Sequence, residues 1–193
     1  MQRGKLIVIS APSGSGKTTI AKEIMRLNPS LGFSVSATTR QKRAGETDGK
    51  DYFFLSEEEF KRRIDAGEFV EWEEVYPGKL YGTLKSEVER LLAAGQDLLF
   101  DVDVKGGLSI HKQYPEACLI FIRPPSFEKL KERLAGRKTE SDETITRRLE
   151  RAPLELELGN QYEYQVVNDV LQSAINDVQK IVTEHLQTKE GVS

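Results

Sequence analysis

The sequence predicts an α/β protein whose core is a parallel sheet flanked by helices, with an inserted lobe and a helical lid. Three observations predict it. Short apolar runs alternate with stretches of helical spacing, a polar Gly-dotted segment from 36 to 82 breaks that alternation, and the charge-dense "AGRKTESDETITRRL" separates two helical patterns further on.

Taken in order, "KLIVIS" (5–10) precedes a helical pattern over 17–27, and "DLLFDVD" (97–103) precedes one over roughly 105–113. "CLIFI" (118–122) is followed by a helix over 126–135 and "YQVVN" (164–168) by one over 171–186. In that last helix Leu171, Ala174, Ile175, Val178, Ile181 and Val182 recur at helical spacing and leave Asp177, Lys180 and Glu184 outside, so it should pack on the sheet. Between 36 and 82, "TTRQKRAGETDGKDYFF" leads into a strand, the capping box Ser56 to Glu59, a short helix and the strand "EFVEWEEV". Pro153 should kink or interrupt the helix after the charged segment. The expected organisation is one domain over 1–193, with a core of 1–35, 84–125 and 160–193, a lobe over 36–83 and a lid over 126–159.

Composition excludes several functions. The net charge of -3 gives no basis for general affinity to nucleic acid or an anionic membrane, so anion recognition must come from local basic clusters. A lone cysteine, Cys118, lies in an apolar strand and reads as a small core residue. His111 and His185 stand apart without a cysteine or aspartate cluster, which argues against a zinc site. No apolar run reaches membrane-spanning length and the N-terminal residues enter a strand at once, so a cytoplasmic protein is expected.

The stretch that carries chemistry is "SAPSGSGKTT", residues 10–19, a small-residue loop between a strand and a helix. Such a loop turns backbone N–H groups inward at a helix N-terminus, where anions bind. The window Ala11, Pro12, Ser13, Gly14, Ser15, Gly16, Lys17, Thr18, continued by Thr19, fits the Walker A pattern except that Ala11 stands at the first glycine. Gly14 and Gly16 let the backbone curl, Lys17 reaches the β- and γ-phosphates, and Thr18 offers a hydroxyl to Mg²⁺. The expected fold is therefore of the P-loop NTPase type. Arg40 and Arg43, with Lys42 between them, could clamp a second phosphate. Tyr52, Glu71, Tyr81 and Thr83 follow in the same lobe; a carboxylate there can accept both N1–H and the amino group of guanine, a donor pair adenine lacks. "DVKG" (103–106) mimics the Asp-x-x-Gly element of GTPase switches, but no Asn-Lys-x-Asp guanine reader occurs.

Through "KLIVISAPSGSGKTT", "FSVSATTRQKRAGETDGKDYFF", "GEFVEW", "LYGT", "LLFDVDVKG", "FIRPPS", "RLAGR" and "VVND", nearly its whole length, the chain resembles guanylate kinase, which passes the γ-phosphate of ATP to GMP. The resemblance implies that Ser36, Glu71 and Asp101 read or support the guanine base and that Arg40, Arg43, Tyr52 and Tyr81 hold the GMP phosphate. Glu46 matches a family acid in that lobe, and Thr83 replaces a frequent serine while keeping the hydroxyl. Arg133, Arg137 and Arg148 match lid arginines, of which Arg137 and Arg148 would contact ATP phosphates; Arg147 is the alternative to Arg148. Asn168 and Asp169 fall where the family lines the adenine pocket, and Lys105 and Lys138 depart from a frequent glutamine and glycine. The implied cofactor is Mg²⁺ with ATP, held through Thr18. The implied partners are ATP and GMP, with dGMP and the choice between monomer and homo-oligomer left open. A P-loop kinase for another nucleotide, a GTPase switch and a catalytically dead interaction module are the competing readings.

Overall fold

The computed structural model describes residues 3–76, 78–136 and 142–188. The chain enters β1 (Leu6–Ser10), whose residues are all buried, and passes through the small-residue loop into α1 (Lys17–Leu27). The next segment leaves the core for β2 (Ser36–Thr38), β3 (Phe53–Phe54), α2 (Glu57–Asp65) and the hairpin β4 (Phe69–Tyr76) and β5 (Lys79–Leu84). It returns through α3 (Lys85–Ala93) to β6 (Leu98–Asp101), α4 (Val104–Gln113), β7 (Cys118–Arg123) and α5 (Phe127–Ala135). Helix α6 (Asp142–Gly159), β8 (Tyr164–Val167) and α7 (Leu171–Gln187) complete it.

Two sheets result. The first is parallel, in the order β6-β1-β7-β8, with Leu6 to Ile9 of β1 opposite Leu98 to Asp101 on one side and Ile7 to Ser10 opposite Cys118 to Phe121 on the other. A parallel sheet must be covered on both faces, and the alternation of β1 shows how. Ile7 and Ile9 pack with Ile20 and Ile24 of α1 and with Ala174, Val178 and Val182 of α7. Leu6 and Val8 pack on the opposite face with Val88 and Leu92 of α3, Ile110 of α4 and Tyr162. Cys118 is buried in β7, where burial pushes its thiol up to about 12, so it is a packing residue rather than a nucleophile.

The second sheet, β3-β2-β5-β4, spans residues between 36 and 84 and has its own core of Ala37, Phe60, Phe69, Leu80 and Leu84. Phe60 and Phe69 stack with ring centroids 4.4 Å apart. Ser56 caps α2 by accepting from the Glu59 N–H at 3.1 Å, the first half of a capping box, while the Glu59 carboxylate turns to Arg62 and Arg63. Caps also set two other helix starts: Asp103 accepts from the Gly106 N–H at 2.7 Å to open α4, and Ser126 accepts from the Lys129 N–H at 3.1 Å to open α5.

Pro153 neither ends nor interrupts α6, which is continuous through it. The exposed proline gives up one helical N–H bond, while the neighbouring Ala152 is buried against Leu130 and Leu134 of α5 and anchors the turn. No helix among the described residues is long and apolar enough to cross a membrane.

Candidate functional site

The loop between β1 and α1 is shaped by two glycines. Gly14 and Gly16 have φ of 92° and 89°, and a Cβ on Gly16 would lie 2.4 Å from the Asn168 side-chain nitrogen. No non-glycine residue among the described residues has a positive φ, so Ala11 occupies ordinary backbone space, which explains why the loop closes without the usual first glycine. Helix α1 begins at Lys17 with no side-chain cap and no acid in its first turn. Its free N–H groups are thus available to an anion.

The loop opens onto a hollow of about 300 Å³ lined by Ala11, Pro12, Ser13, Gly14, Gly16, Lys17, Thr18 and Thr19, together with Asp103, Arg148 and Glu155. Ser15 is fully buried behind it, and its carbonyl accepts from Asn168 Nδ2 at 2.8 Å. Asn168 itself, 4% exposed at the end of β8, braces the loop from beneath and does not line the hollow. From α6, Arg148 Nη1 donates to Ser13 Oγ at 2.7 Å, whereas Arg147 turns outward to Glu143 at 2.7 Å. Arg133 donates to the Asp169 carbonyl at 3.3 Å, and neither of these residues lines the hollow. Arg137 and Lys138 lie outside the described residues.

A second, larger cleft of about 830 Å³ lies between the β4–β5 hairpin and the C-terminal end of β6. Ser36, Glu71, Tyr81, Thr83 and Asp101 line it, with Lys105 on the α4 side. Pairing of Ser36 with Thr83 across β2–β5, and of Glu71 with Thr83 across β4–β5, sets three of these residues side by side. Thr83 Oγ1 donates to Glu71 Oε1 at 2.7 Å. Burial pushes the Glu71 carboxyl above its usual range, partly offset by that hydrogen bond.

Arg40, Arg43, Glu46 and Tyr52 form a neighbouring cluster outside the lining of that cleft. Glu46 grips Arg40 with two hydrogen bonds, at 2.9 and 2.7 Å, and also accepts from the Arg43 N–H at 2.7 Å. The guanidinium of Arg40, with the Arg43 N–H, holds the Glu46 carboxyl down at about 2. Arg40 also lies over the ring of Tyr52, 5.2 Å from its centroid, and Tyr52 meets Tyr81 edge-on at 6.1 Å.

The two hollows meet at Lys17, which lines both. Its ammonium is 2.6 Å from Asp101 Oδ1 and donates to the Val102 carbonyl at 2.8 Å. Asp103 lines both hollows as well. The cap on Gly106 explains "DVKG" as a local helix start.

Several groups at the junction were not singled out as site residues in the sequence: Glu73, Arg151, Glu155 and, as more than a turn residue, Asp103. Strand period would have placed Glu73 beside Glu71, and helix period Arg151 and Glu155 beside Arg148. What was missing was knowledge of which faces meet. Among the described residues no group of three or more His, Cys, Asp or Glu side chains is placed to hold a metal.

A phosphate-binding loop that shares its lysine with a second polar cleft defines a nucleotide kinase of the P-loop class. Known proteins narrow the class. The family described as Guanylate kinase matches residues 3–185. Guanylate kinase of Symbiobacterium thermophilum is 48% identical over 93% of this chain and 85% of its own length, and that of Carboxydothermus hydrogenoformans is 45% identical over 98% and 93%. The crystal structure of guanylate kinase from Anaplasma phagocytophilum superposes with a TM-score of 0.69 at 29% identity, covering 98% of this chain and 89% of that one. The chain belongs to the guanylate kinase family.

Proposed function

We propose that the protein transfers the γ-phosphoryl group of ATP to GMP, giving ADP and GDP, with ATP on the loop at 11–19 and GMP in the lobe at 36–83. The observation that carries this reading is the position of Lys17, one ammonium shared by an anion loop and a guanine-compatible cleft. The attacking oxygen belongs to an already anionic phosphate, so no general base is required. The work is alignment and neutralisation of two polyanions.

In this reading Glu71 accepts the guanine N1 and amino hydrogens, supported by Ser36, Thr83 and Asp101. Arg40, Arg43, Tyr52 and Tyr81 take the GMP phosphate, and Glu46 orients Arg40. Lys17 and Arg148 face the ATP phosphates, and the resemblance gives Arg137 the same role. The hydrogen bonds of Asn168 and Arg133 support a bracing role for both, Asn168 under the loop and Arg133 at the Asp169 carbonyl.

Mg²⁺ fits the donor hollow: Thr18 is exposed in the first turn of α1 and Asp103 and Glu155 add oxygen donors, the ligand type this hard ion takes. With no sufficient protein cluster among the described residues, the ion would draw its remaining ligands from phosphate and water. When bound it would neutralise phosphate charge. The lobe over 36–83 and the lid over 126–159 would close on the core when both substrates are present, excluding water that would hydrolyse ATP.

A coupled ADP-release assay with GMP, AMP, UMP and CMP tests this function. GMP should lead the others by about 100-fold or more, because a site built around a buried acceptor leaves that acceptor unpaired with the wrong base. Equal rates with all four would refute it.

A further inference from the structure

Arg148 and Arg151 lie three residues apart on α6 and therefore on neighbouring faces of one turn, yet they front different hollows: Arg148 the donor hollow, Arg151 the acceptor cleft. Most of the described arginines elsewhere are engaged. Arg3, Arg26, Arg40, Arg62, Arg63, Arg90, Arg123, Arg133, Arg147 and Arg148 all donate to protein acceptors. Among the described arginines only the side chains of Arg43 and Arg151 have no hydrogen-bond or ion-pair partner, and Arg43 is already assigned to the acceptor phosphate. Arg151 is exposed, so its guanidinium is unspent and accessible.

Its surroundings point to the junction. Glu73, which lines the acceptor cleft, and Glu155, which lines the donor hollow, both feel the charges of Arg151, Lys17 and Asp103. Burial disfavours the charged form of both carboxyls, and neither is within ion-pairing distance of Arg151. Lys17 on α1 and Arg151 on α6 thus both line the acceptor cleft, among the carboxylates of Glu73, Asp101 and Asp103, and of the two only Lys17 is paired, with Asp101. Phosphates passing between the hollows would cross that region.

We propose that Arg151 is a further catalytic arginine, contacting the phosphoryl group as it passes between the two hollows. This rests on the kinase reading above. An oxygen of the GMP phosphate forms a bond to Pγ as the bond from Pγ to the β–γ bridging oxygen breaks, and the electron pair leaves on ADP. The equatorial oxygens of the group in transit carry charge that Lys17 meets from the loop and Arg151 from the lid helix.

Steady-state kinetics of Arg151→Gln, Arg151→Lys, Glu73→Gln, the Glu73→Gln/Arg151→Gln pair and the outward-facing Arg147→Gln, each with its thermal midpoint, test it. Arg151→Gln should lower kcat about 100-fold with KM for either substrate changed less than about threefold and Tm unaltered. Arg151→Lys should recover only part, since an ammonium cannot bridge two oxygens as a guanidinium does. Arg147→Gln should match wild type. A wild-type kcat in Arg151→Gln would overturn the proposal. So would equal losses in Glu73→Gln, Arg151→Gln and their combination, which would make Arg151 a strap to Glu73. Wild-type protein that releases no ADP with GMP would overturn the kinase reading itself, and this proposal with it.

Discussion

The donor loop and the acceptor lobe are built to meet a nucleotide by different means. Around the loop, recognition is backbone: positive-φ glycines, an uncapped helix start and a fully buried Ser15 tied to Asn168. In the acceptor lobe it is side chain: an Arg40–Glu46 fork over the Tyr52 ring and a Glu71 carboxyl desolvated beside Thr83. Backbone N–H groups suit any polyphosphate and tolerate sequence change such as Ala11. Side chains discriminate, and they depend on partners that hold them in place. Damage to the loop should therefore affect chemistry and stability together, and damage to the lobe should affect one substrate alone.

The largest expected effect is Lys17→Ala, which removes the one cation among the described residues that lines both hollows. Its kcat should fall about 1,000-fold, read in the ADP-release assay. Next comes Glu71→Gln, which replaces an acceptor by a group that is half donor. GMP affinity, followed by fluorescence of Trp72 in the cleft wall, should weaken about 10- to 100-fold with KM for ATP unchanged. The same change should slightly stabilise the free protein at neutral pH. Because burial raises the Glu71 pKa in the fold, its contribution to stability is greatest at low pH and is lost as pH rises from the usual carboxylate range through the raised value. The gap in Tm between variant and wild type should widen over that window.

Gly16→Ala should cost about 1–2 kcal/mol, lowering Tm by roughly 2–8 °C, through left-handed backbone strain and the clash with Asn168. Thermal melts would show it, and KM for ATP should rise with it. Glu46→Gln should be mildest, raising KM for GMP about tenfold by loosening Arg40. The Glu46 pKa is depressed to about 2, so the contribution of the pair is present above the unfolded value near 4.5 and lost as pH falls from there toward 2. GMP binding should fall more steeply in wild type than in Glu46→Gln across that acid window.

Most of the parallel core was legible because its strands are continuous apolar runs and its helices have one-sided apolar faces. Boundaries shifted by a residue where a cap decided them, as with Asp103 opening α4 at Val104 and Ser126 opening α5 at Phe127. Helix α3 and strand β5 went unnamed: "LYGT" is a short run with a glycine, and α3 follows it with no separating loop. The glycine loop and the Arg40–Arg43 cluster were legible as groupings of residues. The bracing hydrogen bond of Asn168, the link from Lys17 to Asp101 and the free Arg151 were not, because each depends on a contact between segments remote in sequence.

The central claim is that two anion hollows meet at Lys17 within reach of one transferring group. Titration of the protein with a dinucleotide joining adenosine and guanosine through five phosphates tests it most directly. One molecule should bind per chain, compete with both ATP and GMP, and lose most of its affinity in Lys17→Ala. Competition with only one substrate, or binding of two molecules per chain, would contradict the account.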